Sequence, residues 1–194
     1  MARFTRHAIL AGVAAIGAAA GGCGEKGKSD TMAANDVSSP PAAAAPAGAT
    51  GKLAEFIAKA AGGDGPGPHV HFQRGHEMSG ITDVDVSPDG AFALTRSSRK
   101  GGPPQEFRGQ LDASQRQALY AALAKAAILS VPSSTRPIGD DEQPIVVSLD
   151  GAGQTFTLRI WAADARDSTA FGVLAAALYP LLEQVSAGGI TLRP

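Results

Sequence analysis

From residue 69 onward the apolar positions of this chain recur with two different periods, and the alternation between them sets out the secondary structure. His69-Val70-His71-Phe72-Gln73-Arg74 places Val70 and Phe72 between polar neighbours, the period of two that marks a strand. Ile81-Thr82-Asp83-Val84-Asp85-Val86 alternates in the same way, with Val84 and Val86 on one face. Ser87-Pro88-Asp89-Gly90 then reverses the chain: proline presets its φ angle, glycine supplies a positive one, and Ala91-Phe92-Ala93-Leu94-Thr95 returns as the partner strand. Glu106-Phe107-Arg108-Gly109-Gln110-Leu111 adds a further strand. Later, Ile145-Val146-Val147-Ser148-Leu149 and residues 155–161 flank the turn Asp150-Gly151-Ala152-Gly153. In the second of these Phe156, Leu158 and Ile160 share one face, and Thr155, Thr157, Arg159 and Trp161 the other.

Between and after these strands the period lengthens to that of a helix. Asp112 followed by Gln115 is a capping-box pair, and Leu119, Ala122, Leu123 and Ala126 continue from it along one stripe. A second helix, capped by Asp167 or Ser168, carries Phe171, Leu174, Ala175, Leu178, Leu181, Leu182 and Val185 at core spacing. Pro180 lies inside it and predicts a kink or a split. Residues 130–144 hold three prolines and no pattern. Upstream, residues 52–61 put Leu53, Phe56, Ile57 and Ala60 on one helical stripe; ten residues are marginal alone, so this segment either docks or fluctuates. Gly62 to Pro68 breaks regular structure.

The sum predicts one small α+β domain over residues 69–186, an antiparallel sheet of about four to five strands with two helices on one face, and a short tail at 187–194. Leu111-Asp112-Ala113-Ser114-Gln115 opening a helix and Gln154-Thr155-Phe156-Thr157-Leu158 as a late strand, with the proline-containing loop between, resemble small domains of bacterial secreted proteins, including emfourin-type inhibitors of thermolysin-like metalloproteases. The resemblance spans roughly residues 80–182 and implies a protease partner. No inhibitory residue carries over with it.

The N-terminal quarter has another character. Arg3 and Arg6 precede an apolar stretch at residues 8–17, and small residues from Ala18 to Gly22 lead into Cys23, the sole cysteine. That order is a secretory signal, too short to span a membrane. Ala20-Gly21-Gly22-Cys23 resembles the lipoprotein processing site, with Ala20 where leucine is preferred, and implies lipidation at Cys23. The alternative is cleavage after Ala18-Ala19-Ala20, which leaves a soluble protein with a free thiol. With no second cysteine to pair with, an acylated Cys23 is inert where a free one is reactive. By resemblance, Gly24 rather than aspartate after the cysteine favours the outer membrane of a Gram-negative cell. Residues 24–51 are rich in Ala, Pro, Gly and Ser, and read as a disordered tether of roughly 30 Å typical span. The expected organisation is thus a signal peptide at 1–22, a lipidated linker at 23–68 and the domain.

Charge and motifs narrow the chemistry. Loss of residues 1–22 leaves 15 basic against 18 acidic side chains, a net charge of −3, which argues against nucleic-acid binding. There is no G-x-S-x-G, no cysteine within the domain and no phosphate-cradling glycine loop before a helix. The expectation is therefore a non-enzyme without a cofactor. Two clusters stand out. His69 and His71 project from one strand face about 7 Å apart, and with His76 or Glu77 form a candidate metal set; the competing reading is a polar edge strand. Asp83 and Asp85 read as the solvated face of a hairpin. Asp140, Asp141 and Glu142, in the long loop, and Trp161, at a strand end, form a candidate interaction surface; the alternatives are a solvated acidic loop and an indole packed under it. The leading functional expectation is a lipid-anchored, non-catalytic binding module of the cell envelope with a protein partner there. The alternatives are a metalloprotease inhibitor and a metal-binding protein.

Overall fold

The computed structural model describes residues 47–97 and 101–193. The segment expected to be a signal peptide, Cys23 and residues 24–46 of the expected linker lie outside the described residues. Six strands form a single antiparallel sheet: β1 His69–His76, β2 Gly80–Val86, β3 Ala91–Arg96, β4 Gln105–Gln110, β5 Pro144–Gly151 and β6 Gln154–Trp161. Their order across the sheet is β4-β3-β2-β1-β5-β6, so β1 and β2 are central. The α+β class is as the patterning indicates; the sheet has six strands where four to five were expected.

Strand alternation makes the sheet two-sided. One row of paired positions runs Phe107, Leu94, Val84, Phe72, Val147, Leu158 across all six strands, and the next runs Gly109, Phe92, Val86, Val70, Leu149, Phe156. These rows form the core face, and Phe72, Leu94, Val147, Leu149 and Leu158 are at most 1 % exposed. The opposite face carries Asp85, His71, Ser148 and Thr157 in one row and Asp83, Gln73, Val146 and Arg159 in the next. Period two separates the two sets along these rows.

The helices are α1 Ala47–Gly62, α2 Ala113–Lys125, α3 Ala162–Asp167 and α4 Thr169–Val185. Asp112 accepts from the Gln115 amide at 2.8 Å and its own amide donates to the Gln115 side chain at 2.9 Å, completing the box that starts α2. Ser168, rather than Asp167, caps α4 by accepting from the Phe171 amide. Helix α4 runs through Pro180 without the expected split. Its apolar stripe, with Leu174, Leu178 and Leu182 buried, holds it on the core while one backbone hydrogen bond is forgone.

Two expected boundaries move. The helix expected at 52–61 begins at Ala47, inside the stretch read as tether, and it docks: Leu53, Ile57 and Ala60 are buried, and α1 packs along α2. Three long helices, not two, make up the helical layer. The tail at 187–194 is also part of the domain as far as it is described, because Ile190 is fully buried and Leu192 packs on the core. Amphipathic stripes this short acquire stability from the surface they cover.

The β6 edge of the sheet is protected. The Ser134 amide donates to the Arg159 carbonyl at 2.9 Å, and the Ser133 and Ser134 hydroxyls accept from the Arg159 and Trp161 amides. The proline-containing loop thus satisfies an edge strand that would otherwise invite pairing with another chain.

Candidate functional site

Position 74 is even-numbered on β1, so Arg74 falls on the core face with Val70 and Phe72, at the end of the sheet where Thr82 and Ile145 flank it. There the helical layer parts from the sheet. A cleft of about 640 Å³ opens between Arg74 and Ile145 on the strands, Ala162, Ala163 and Arg166 of α3, Phe171, Gly172, Ala175 and Tyr179 of α4, and the loop from Arg136 to Gln143. A guanidinium on a core face needs partners. Arg74 donates from Nε to the Gln143 side chain at 3.3 Å and from Nη1 to the Tyr179 hydroxyl at 3.0 Å and the Arg193 carbonyl at 2.6 Å. Its carbon Cζ also lies 5.7 Å from the centre of the Tyr179 ring. Among the described residues every one of these partners is neutral.

Tyr179 is positioned by packing. Its ring meets that of Phe72 edge to face, with centroids 6.3 Å apart and an interplanar angle of 66°. Burial pushes its phenol up, with Arg74 partly offsetting that. The group stays protonated at neutral pH, accepts from Arg74 and keeps its own proton to donate.

The loop wall is held by ions. Arg136 grips Glu142 bidentately, Nη2 to Oε1 at 2.5 Å and Nη1 to Oε2 at 2.6 Å, and reaches Asp164 of α3 from Nε and Nη2 at 3.1 Å. Glu142 also accepts from the Ala163 amide at 3.2 Å, near the N-terminus of α3. The Ser134 hydroxyl donates to Asp164 and the Trp161 indole to the Arg136 carbonyl at 2.9 Å. The Arg136 guanidinium holds the Glu142 carboxyl at about 2, well below its ordinary 4.5. A depressed folded-state value means that the stabilisation is complete above about pH 4.5 and is lost as pH falls through 2. The urea midpoint of the unsubstituted protein should therefore exceed that of Glu142→Gln at pH 5, and most of the difference should be gone at pH 2. A difference constant across that range would show that the fork does not carry this stability.

These contacts correct the expected interaction surface. Glu142 and Trp161 face inward and bind the loop to α3 and β6, so they do not offer a free contact. Asp140 and Asp141 are exposed at the loop tip, and Asp141 lines the cleft.

The histidine cluster is also rearranged. His69 and His71 lie on the open face of the sheet, as alternation requires. His76 does not join them. Five residues along a strand is about 17 Å, and Gly75 interrupts the alternation at a φ of +107°, where an added Cβ would sit 2.1 Å from the Gly80 carbonyl oxygen. His76 instead accepts from the Met78 amide through Nδ1, within the turn, and neighbouring Glu77 is exposed there. The acids beside His71 are Asp83 and Asp85, brought across by the β1–β2 pairing.

No family model matches the chain, and no curated protein matches it. Its residues must carry the functional reading.

Proposed function

We propose that this protein is a lipid-anchored component of the bacterial envelope, exported by its signal peptide, acylated at Cys23 and oriented outside the cytosol. Its α+β domain binds an organic anion with an apolar body and does no chemistry on it. The observation that carries the ligand class is Arg74: a half-buried guanidinium on the core face whose described partners are all neutral, with the exposed cation Arg166 on the same cleft. A carboxylate or phosphate head placed there gains charge-assisted hydrogen bonds from Arg74 and a donor from Tyr179. The tail lies on Ile145, Phe171 and the alanines. The lining offers three arginines, an amide, a phenol and apolar surface against two carboxylates: Glu142, which Arg136 neutralises, and the exposed Asp141 at the loop tip. It holds no serine, threonine, cysteine or histidine, the composition of a binding cleft.

The full chain with Cys23→Ser, which carries no acyl group, is titrated calorimetrically with decanoate, decyl phosphate and decanol. One equivalent of either anion should bind. Decanol and the Arg166→Gln variant should each lower affinity at least about tenfold, since a hydrogen bond to a charged group contributes about 1.5–3 kcal/mol. Equal affinity for decanol and decanoate would overturn the reading. A stoichiometric fall in thermolysin rate on adding the same chain would favour the inhibitor alternative instead.

A further inference from the structure

The open face of the sheet carries a second assembly, separate from the cleft. Asp83 and Asp85 alternate on β2, and Asp85 stands directly across from His71 on β1. His71 Nδ1 is 3.4 Å from Asp85 Oδ1, its Nε2 is 3.7 Å from Asp83 Oδ2, and His69 Nε2 is 2.9 Å from Asp85 Oδ1. One donor atom from each of His71, Asp83 and Asp85 lies within 4.8 Å of the others. Donors around a tetrahedral zinc bonded at about 2.0 Å stand about 3.3 Å apart, so small side-chain rotations close the set. The donors stand on the two central strands, where the backbone is fixed from both sides. The charge is left unbalanced: among the described residues no lysine or arginine pairs with Asp83 or Asp85, and apart from the histidines only the Gln73 amide, 3.0 Å from Asp83, donates to them from a side chain.

We propose that His71, Asp83 and Asp85, with His69 as a fourth donor, bind one divalent transition cation of the zinc class. Imidazole nitrogen beside carboxylate oxygen is the donor mixture that selects zinc or cobalt over calcium and magnesium, which take oxygen alone. Side-chain exposures of 30 % for His71 and 33 % for Asp83 leave the position open to solvent on one side, so water completes the coordination.

The full chain carrying Cys23→Ser, which removes the competing thiol, is titrated with cobalt and zinc. Cobalt should give one equivalent with the visible absorption of a four- or five-coordinate ion, displaced by zinc. His71→Ala and the near-isosteric Asp83→Asn should each weaken uptake at least about tenfold, with circular dichroism unchanged. His76→Ala should bind as the parent does. No uptake at millimolar metal would overturn the assignment, as would uptake unaffected by His71→Ala and Asp83→Asn, or a preference for calcium over zinc.

Discussion

Replacing Phe72 with alanine should lower the unfolding free energy by about 3–5 kcal/mol, measured from urea transitions at neutral pH. Phe72 is 1 % exposed and occupies the middle of the central row, between Val84 and Val147, with the Tyr179 ring against its own. Alanine there removes most of a large buried side chain and leaves a cavity bounded by regular strands on both sides, which cannot collapse to fill it. A domain of this size is stable by about 5–15 kcal/mol, so the loss is a large share of the total. The same change should loosen Tyr179 and so weaken anion binding, because Phe72 supports the cleft from beneath. Phe56 makes a useful comparison. It is only half-buried, packed over Gly151, and its alanine variant should cost visibly less. Equal losses at the two positions would mean that the central row is not the core.

Ile57→Asp should have the second large effect. Ile57 is 2 % exposed on α1, beside Leu53 and Ala60. The substitution removes about 1.5–3 kcal/mol of apolar burial and adds a carboxylate with no partner in an apolar contact. If α1 belongs to the domain, the thermal midpoint falls steeply and the whole transition moves as one. A variant that loses only the α1 amide protections, with the sheet transition unchanged, would place α1 outside the cooperative unit. The result settles where the folded domain begins, which the segment's ten-residue stripe leaves open on its own.

What the sequence discloses follows from period. Every strand stated from alternation is present, because one buried face and one wet face fix period two over lengths of six to eight residues. The capping box at Asp112 was equally legible, being a local hydrogen-bond exchange that needs no tertiary contact. The extension of α1 to Ala47 was not. Ala47-Gly48-Ala49-Thr50-Gly51 has no large apolar residue, and its helical state follows from the docked turns after it. Helix α3, Ala-Ala-Asp-Ala-Arg-Asp, likewise has no stripe; it forms where Glu142 and Asp164 meet Arg136.

The sites were half legible for the same reason. Alternation alone put His69 and His71 on one face. Their acidic neighbours depended on the register Val70 to Val86, which the turn after His76 sets and no local pattern announces. Parity also placed Arg74 with Val70 and Phe72, a charged residue on a core face. That signal marks the cleft, opposite Thr82 and Ile145. Loop residues 136–143 acquire their role only through tertiary contacts, chiefly the ion pair from Arg136 to Asp164, 28 residues later on α3.

Amide chemical shifts of the full chain carrying Cys23→Ser, followed during titration with decanoate below its micelle concentration, test the binding proposal most directly. The predicted result is a saturable set of shifts at Arg74, Gln143, Ala163, Gly172 and Tyr179, with α1 and the His71 face silent. Shifts spread over α1 and the outer sheet, or none at saturating decanoate, would contradict it.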